Sequence, residues 1–156
     1  VVCAGAKSIL DLPATLEVLE TNGVPVLGFM TDEFPAFFSP SSGCKVTQRV
    51  ESPAEVAAIA RAHWSIGLDS AILVVAPPPT RFAIPAEKIE ATIQQAVREA
   101  KMKGITGSAV TPFLLQRVNQ LSEGSSLQAN LALLRNNASI AAQIASALSA
   151  PSSVVI

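Results

Sequence analysis

The residue with the clearest capacity for chemistry is Lys7, in the stretch Val1-Val2-Cys3-Ala4-Gly5-Ala6-Lys7-Ser8-Ile9-Leu10-Asp11. An apolar run leads into Ala-Gly-Ala, one lysine follows, and a helical pattern starts beyond it. A lysine amine attacks a carbonyl only when neutral, and apolar surroundings favour that form. At the end of a buried strand, Lys7 reads as a Schiff-base nucleophile toward a carbonyl substrate. The alternative is an exposed lysine ahead of a helix. Asn130 comes next. Three-four spacing puts Asn130, Leu133, Leu134, Asn137 and Ala141 on one broad helix face. Asparagine is a poor helix former and a buried amide needs partners. Asn130 therefore either points into a pocket or sits exposed on its helix.

Thr31-Asp32-Glu33 supplies two carboxylates beside Phe34, Phe37 and Phe38. That is either an acid/base or binding group, or a turn cap beside an apolar patch. His63, the single histidine, adjoins Trp64 in a helical pattern. One histidine excludes a multi-histidine metal site, and His63 reads as structural. Cys3 and Cys44 lack metal or redox spacing. Cys3 reads as a small buried hydrophobe, and free thiols suit a reducing compartment. Neither GxGxxG nor GxxxxGK[ST] occurs, and Gly5 before a helix start is only a weak anion signal.

The elements that must position these residues follow from the patterning. Residues 1–4, 24–30 and 70–76 are apolar runs of the kind buried on both faces of a sheet. Ser8 or Asp11 caps a helix that carries Pro13 in its first turn and ends at Asn22-Gly23. Ser52-Pro53-Ala54-Glu55 is a capping box. A long amphipathic helix spans 85–102 with Ile89, Ile93, Ala96, Val97 and Ala100 inward. Thr111-Pro112 starts another helix, and the last spans about 126–148. Alternating strands and helices imply a three-layer α/β/α fold with a mostly parallel or mixed central sheet. In such sheets ligands bind beyond the carboxyl ends of the strands. Lys7, the 31–38 loop and residues 76–79 all follow strand ends, so that edge is the expected site.

The 156 residues are enough for one domain with a core. With 49% apolar and 15% charged residues the composition is not that of a disordered chain. A net charge of −1 with scattered Lys and Arg gives no basis for binding nucleic acid or a membrane surface. No run of about eighteen apolar residues exists to form a transmembrane helix. The chain opens and closes on strand-like runs, with 149–156 reading as a linker, so a piece of a longer protein is expected.

Four motifs in order carry a resemblance. The residues from Val2 to Asp11 (VCAGAKSILD), Gly28 to Phe38 (GFMTDEFPAFF), Ala109 to Leu115 (AVTPFLL) and Ser126 to Ala138 (SLQANLALLRNNA) closely resemble segments of the pseudouridine-5′-phosphate glycosidases. These are also called pseudouridylate synthases or indigoidine synthase A-like proteins. The resemblance implies that residues 1–148 form the C-terminal part of that catalytic domain. It implies reversible cleavage of the C–C glycosidic bond of pseudouridine 5′-phosphate to uracil and ribose 5-phosphate. Lys7 matches the lysine that forms the family's Schiff base, and Asn130 matches its active-site asparagine. The resemblance also implies a homotrimer and a divalent metal, Mn2+ in type. The metal ligand, the glutamate acid/base and much of the phosphate site fall before Val1. Ala76 stands where the family commonly has Asn, and Met30 where it commonly has Gly. Two alternatives remain: a catalytically incomplete fragment that only binds or scaffolds, and an unrelated lysine-dependent aldolase-type enzyme. The expected compartment is intracellular, cytoplasmic or organellar.

Overall fold

The structure, a computed structural model, describes residues 1–7 and 10–150. Its elements run β1 (Val2–Cys3), α1 (Leu12–Thr21), β2 (Val26–Phe29), β3 (Gln48–Val50), α2 (Pro53–Ser65), β4 (Leu73–Val75), α3 (Ala86–Met102), α4 (Val110–Leu121) and α5 (Ser125–Ser149). The strands form one sheet in the order β1-β4-β2-β3, and every pairing is parallel. No strand among them gives the mixed sheet that the sequence left open.

Alternation along the strands sends side chains to two faces. Leu27, Val50 and Val74 pack with Val56, Ala60, Ile140 and Ile144, so α2 and α5 cover one face. Val26 and Val75 pack with Leu12 and Phe34, so α1 and the 30–47 loop cover the other. A third cluster joins α3 and α4 to the start of α5 through Ile89, Ile93, Ala96, Leu114, Val118 and Ala129. Arg61 of α2 donates from Nη2 to the carbonyls of Ala147 and Leu148, at 2.8 and 2.9 Å, and so anchors the far end of α5.

Strand boundaries are shorter than the apolar runs suggest: β2 and β4 are the paired middles of 24–30 and 70–76. β3 was not foreseen. It is a three-residue edge strand whose Gln48 and Arg49 are exposed, so it carries no apolar signature. Leu134 is a second correction. It is exposed, while Leu133 and Asn137 of the expected face are buried. Asp11 caps α1, accepting from the Ala14 N–H at 3.0 Å. The Ser8 cap, and the 149–156 linker beyond Ala150, lie outside the described residues. No described helix is long and apolar enough to cross a membrane.

Candidate active site

The segment after β1 is stitched to the loop after β2. Gly5 and Ala36 form an antiparallel bridge, and the Phe37 N–H donates to the Ala4 carbonyl at 3.1 Å. Gly5 adopts φ +77°, and a Cβ there would lie 1.7 Å from the Pro35 carbonyl oxygen. Only glycine fits such a left-handed, backbone-to-backbone approach. The first and second motifs are therefore one physical unit. On the other side, the Ile84 N–H donates to the Phe38 carbonyl at 2.9 Å, fixing the loop to the segment before α3.

This stitching brings Lys7, Phe37 and Phe38 to a cavity of about 300 Å³ that is also lined by residues of α4 and α5. The two phenylalanine rings meet edge to face, 4.8 Å apart. Phe37 holds φ 61°, a left-handed conformation that is costly for a bulky residue and that clusters at functional sites. Asn130 lines the same cavity from α5, together with Ser126. Lys7 and Asn130 are both partly buried, and neither side chain has a hydrogen-bond or ion-pair partner among the described residues. The remaining wall is largely aliphatic: Ile93, Leu114, Leu115, Val118 and Leu127. Among the described residues that line the cavity, Lys7 is the single ionisable side chain.

The carboxylates beside the aromatic loop are engaged elsewhere. Asp32 pairs with Arg49 at 2.8 Å. Glu33 accepts from the Ser41 hydroxyl and from the N–H groups of Ser42 and Gly43, at 3.2 and 3.0 Å for the latter two. These bonds, led by the Ser41 hydroxyl, hold the Glu33 carboxyl below the usual carboxylate range. Its role is that of a loop clamp, the turn-cap reading of Thr31-Asp32-Glu33. Residues 76–79 follow β4 but do not line the cavity; Pro79 lines a separate groove. His63 bonds Ser70 at 2.9 Å, away from the site. Cys3 and Cys44 are free thiols, and burial pushes the Cys3 thiol upward. Among the described residues no three His, Cys, Asp or Glu side chains gather to hold a metal ion.

Ser126, Thr111, Gln116 and Asn119 also line the cavity. Reading the sequence alone missed them, because the helical spacing of Leu114, Leu115 and Val118 marks α4 as a core helix. Leu115 is in fact 41% exposed. A stripe at 111, 115, 118 and 119 was the available signal that this face borders a pocket.

Comparison with known proteins extends the geometry. The model of the family described as indigoidine synthase A like protein matches residues 1–147. A pseudouridine-5′-phosphate glycosidase of Gemmatimonas aurantiaca is 57% identical over 148 residues, which are 95% of this chain and 48% of that protein. One from Caldanaerobacter subterraneus subsp. tengcongensis is 52% identical over 145 residues, covering 93% and 47%. Among solved structures, the prealnumycin C-glycosynthase AlnA in complex with ribulose 5-phosphate superposes with TM-score 0.84 at 35% identity, over 93% of this chain and 48% of that one. An indigoidine synthase A-like protein of Thermotoga maritima superposes with TM-score 0.83 at 41% identity, over 92% and 47%. The chain spans about half the length of the curated relatives it matches.

Proposed function

The chain belongs to the indigoidine synthase A-like family, and from that premise we propose that it is the nucleophile-bearing part of a pseudouridine-5′-phosphate glycosidase. The observation that carries this reading is the shared cavity. Lys7 and Asn130, from opposite ends of the chain, line one aliphatic pocket, and neither side chain has a partner among the described residues. Lys7 Nζ displaces the ring oxygen at C1 of the sugar phosphate: the C1–N bond forms as the C1–O4′ bond breaks, O4′ takes up a proton and Nζ gives one up. The bond from C1 to the uracil carbon then breaks, its electron pair leaving with the uracil carbon, which takes up a proton. C1 is left as an iminium, and water hydrolyses it to ribose 5-phosphate and free Lys7. The nitrogen lone pair on C1 drives the carbon leaving group out and ends as the C=N bond of the iminium, which makes that departure feasible. Asn130 orients the substrate or the departing base by hydrogen bonding.

The proposed divalent metal, Mn2+ in type, does not fit the donors present. Asp32 and Glu33 are committed to Arg49 and to the loop clamp. No step is derived through it, and its ligands belong to the part of the relatives that this chain does not match. A trimer belongs to the same proposal and is read by light scattering. One observation favours the alternative of a catalytically incomplete binding domain: among the described residues that line the cavity there is no carboxylate to act as general acid.

The test is to incubate the chain with ribose 5-phosphate, reduce with borohydride and locate the adduct by mass spectrometry. A secondary amine at Lys7, absent in Lys7→Ala, is the expected result. Modification spread evenly over the surface lysines would sink the Schiff-base role. Uracil-dependent formation of pseudouridine 5′-phosphate separates the enzyme from the binding domain.

A further inference from the structure

The first turn of α5 forms part of the cavity wall, and one of its backbone donors is unused. Gly124 occupies the N-cap at φ 84° and offers no side-chain cap, and no acidic residue sits in the first turn. The Ser125 and Gln128 N–H groups donate to the carbonyls of Ser122 and Gly124, and the Ser126 N–H donates to the Ser122 hydroxyl. The Leu127 N–H has no acceptor among the described residues. The helix end therefore retains a free donor and the positive end of its dipole.

Ser126 supplies the independent observation. The residue is only 4% exposed, yet its hydroxyl has no hydrogen-bond partner among the described residues. The polar side-chain atoms sealed off without a partner are Asn119 Oδ1 and Asn137 Oδ1; the Ser126 oxygen is not one of them. It therefore keeps an opening, and the cavity is what Ser126 lines. A buried hydroxyl left open in this way is a group awaiting an acceptor. Asn130 lies one turn further along the same helix, on the same cavity.

We infer that Ser126 Oγ and the first turn of α5 receive a carbonyl oxygen of the neutral heterocyclic base, in the same cavity that Lys7 lines. The surrounding wall selects a neutral group. A dianionic phosphate would sit among aliphatic and aromatic side chains with one cation, which the proposed chemistry already uses. This subsite rests on the reading of Lys7 and Asn130 given above.

Uracil binding is measured by NMR titration or calorimetry for the wild type and Ser126→Ala, alongside ribose 5-phosphate trapping at Lys7. The expected result is a dissociation constant about fivefold weaker in Ser126→Ala, the yield of one neutral hydrogen bond. Trapping and the melting midpoint stay unchanged, since the hydroxyl bonds nothing among the described residues. Equal uracil affinity in the two proteins overturns the inference, as does a wild type that does not bind uracil. So does a variant that loses ribose 5-phosphate trapping but keeps uracil, which would mark Ser126 as a phosphate contact. Absence of a Lys7 adduct with uracil binding still dependent on Ser126 sinks the Schiff-base reading and leaves the base subsite standing. Should Ser126→Ala melt early, the wild type is titrated with 2- and 4-thiouracil. One of these weak acceptors must bind several-fold more weakly than uracil; equal affinity for all three overturns the subsite.

Discussion

Gly5 and Pro35 touch backbone to backbone: a Cβ on Gly5 would lie 1.7 Å from the Pro35 carbonyl oxygen and 3.3 Å from the Phe34 ring. Gly5→Ala must therefore either push the 34–38 loop away or abandon φ +77°. The combined strain and overpacking cost roughly 3 kcal/mol or more, and the melting midpoint falls by roughly 6–12 °C. Lys7 and Phe37 separate, so trapping at Lys7 falls as well. A Gly5→Ala protein with wild-type melting and trapping would show that the two segments do not depend on each other.

Met30 gives the opposite sign. It holds φ 56° with its side chain 59% exposed, just beyond β2. Left-handed backbone costs an L-residue about 1–2 kcal/mol, and glycine surrenders part of that gain in unfolded-chain entropy. Met30→Gly is expected to raise stability by about 0.5–1 kcal/mol in a urea titration. A lower midpoint at unchanged slope would mean that Met30 makes a contact worth more than its strain.

Glu33 makes stability depend on pH. The Ser41 hydroxyl first, then the Gly43 and Ser42 N–H groups, hold its carboxyl below the usual range. A carboxylate depressed in the folded state stabilises above its unfolded value of about 4.3, and that contribution is lost as pH falls through the folded value. Melting midpoints recorded from pH 7 down to pH 3 should fall steeply for the wild type and more shallowly for Glu33→Gln, which is already weakened at pH 7. Parallel curves would remove Glu33 as the clamp.

Asn137 is buried at 8% exposure, and its Oδ1 has no partner among the described residues. An unsatisfied buried acceptor costs about 1–3 kcal/mol, while an apolar residue of similar shape carries no such penalty. Asn137→Leu should therefore match or exceed the wild type in melting midpoint. A drop of several degrees would reveal a bonded partner for this amide.

How far the sequence disclosed this arrangement depended on how local each signal was. The inward face of α3 was legible because Ile89, Ile93, Ala96 and Ala100 repeat at helical spacing, and all four are buried. β3 was not, because Gln48 and Arg49 at a sheet edge gain their structure only by pairing with Leu27 and Gly28. Asp32 and Glu33 looked like candidate acids because spacing cannot show that Arg49, Ser41 and Gly43 engage them. Lys7 and Asn130 were singled out by residue type and spacing, and again by the motifs; that they line one cavity is a tertiary fact, made by the Gly5–Ala36 bridge and by the packing of α5 against β1. Ser126 was hidden among serines, and only its burial with an unpaired hydroxyl sets it apart.

The register of the sheet has a consequence for the order of assembly. Val2 pairs with Val74 and Cys3 with Val75, so the strand leading to Lys7 closes a loop of some seventy residues before it gains a neighbour. The helix that carries Asn130 comes later still in the chain. Such non-local parallel pairings form slowly, because loop-closure entropy is lost before any contact rewards it. The pocket is thus a late product of folding. During refolding from urea, the rate at which Lys7 becomes able to capture a sugar aldehyde should track the slowest phase of the whole chain rather than the appearance of helix.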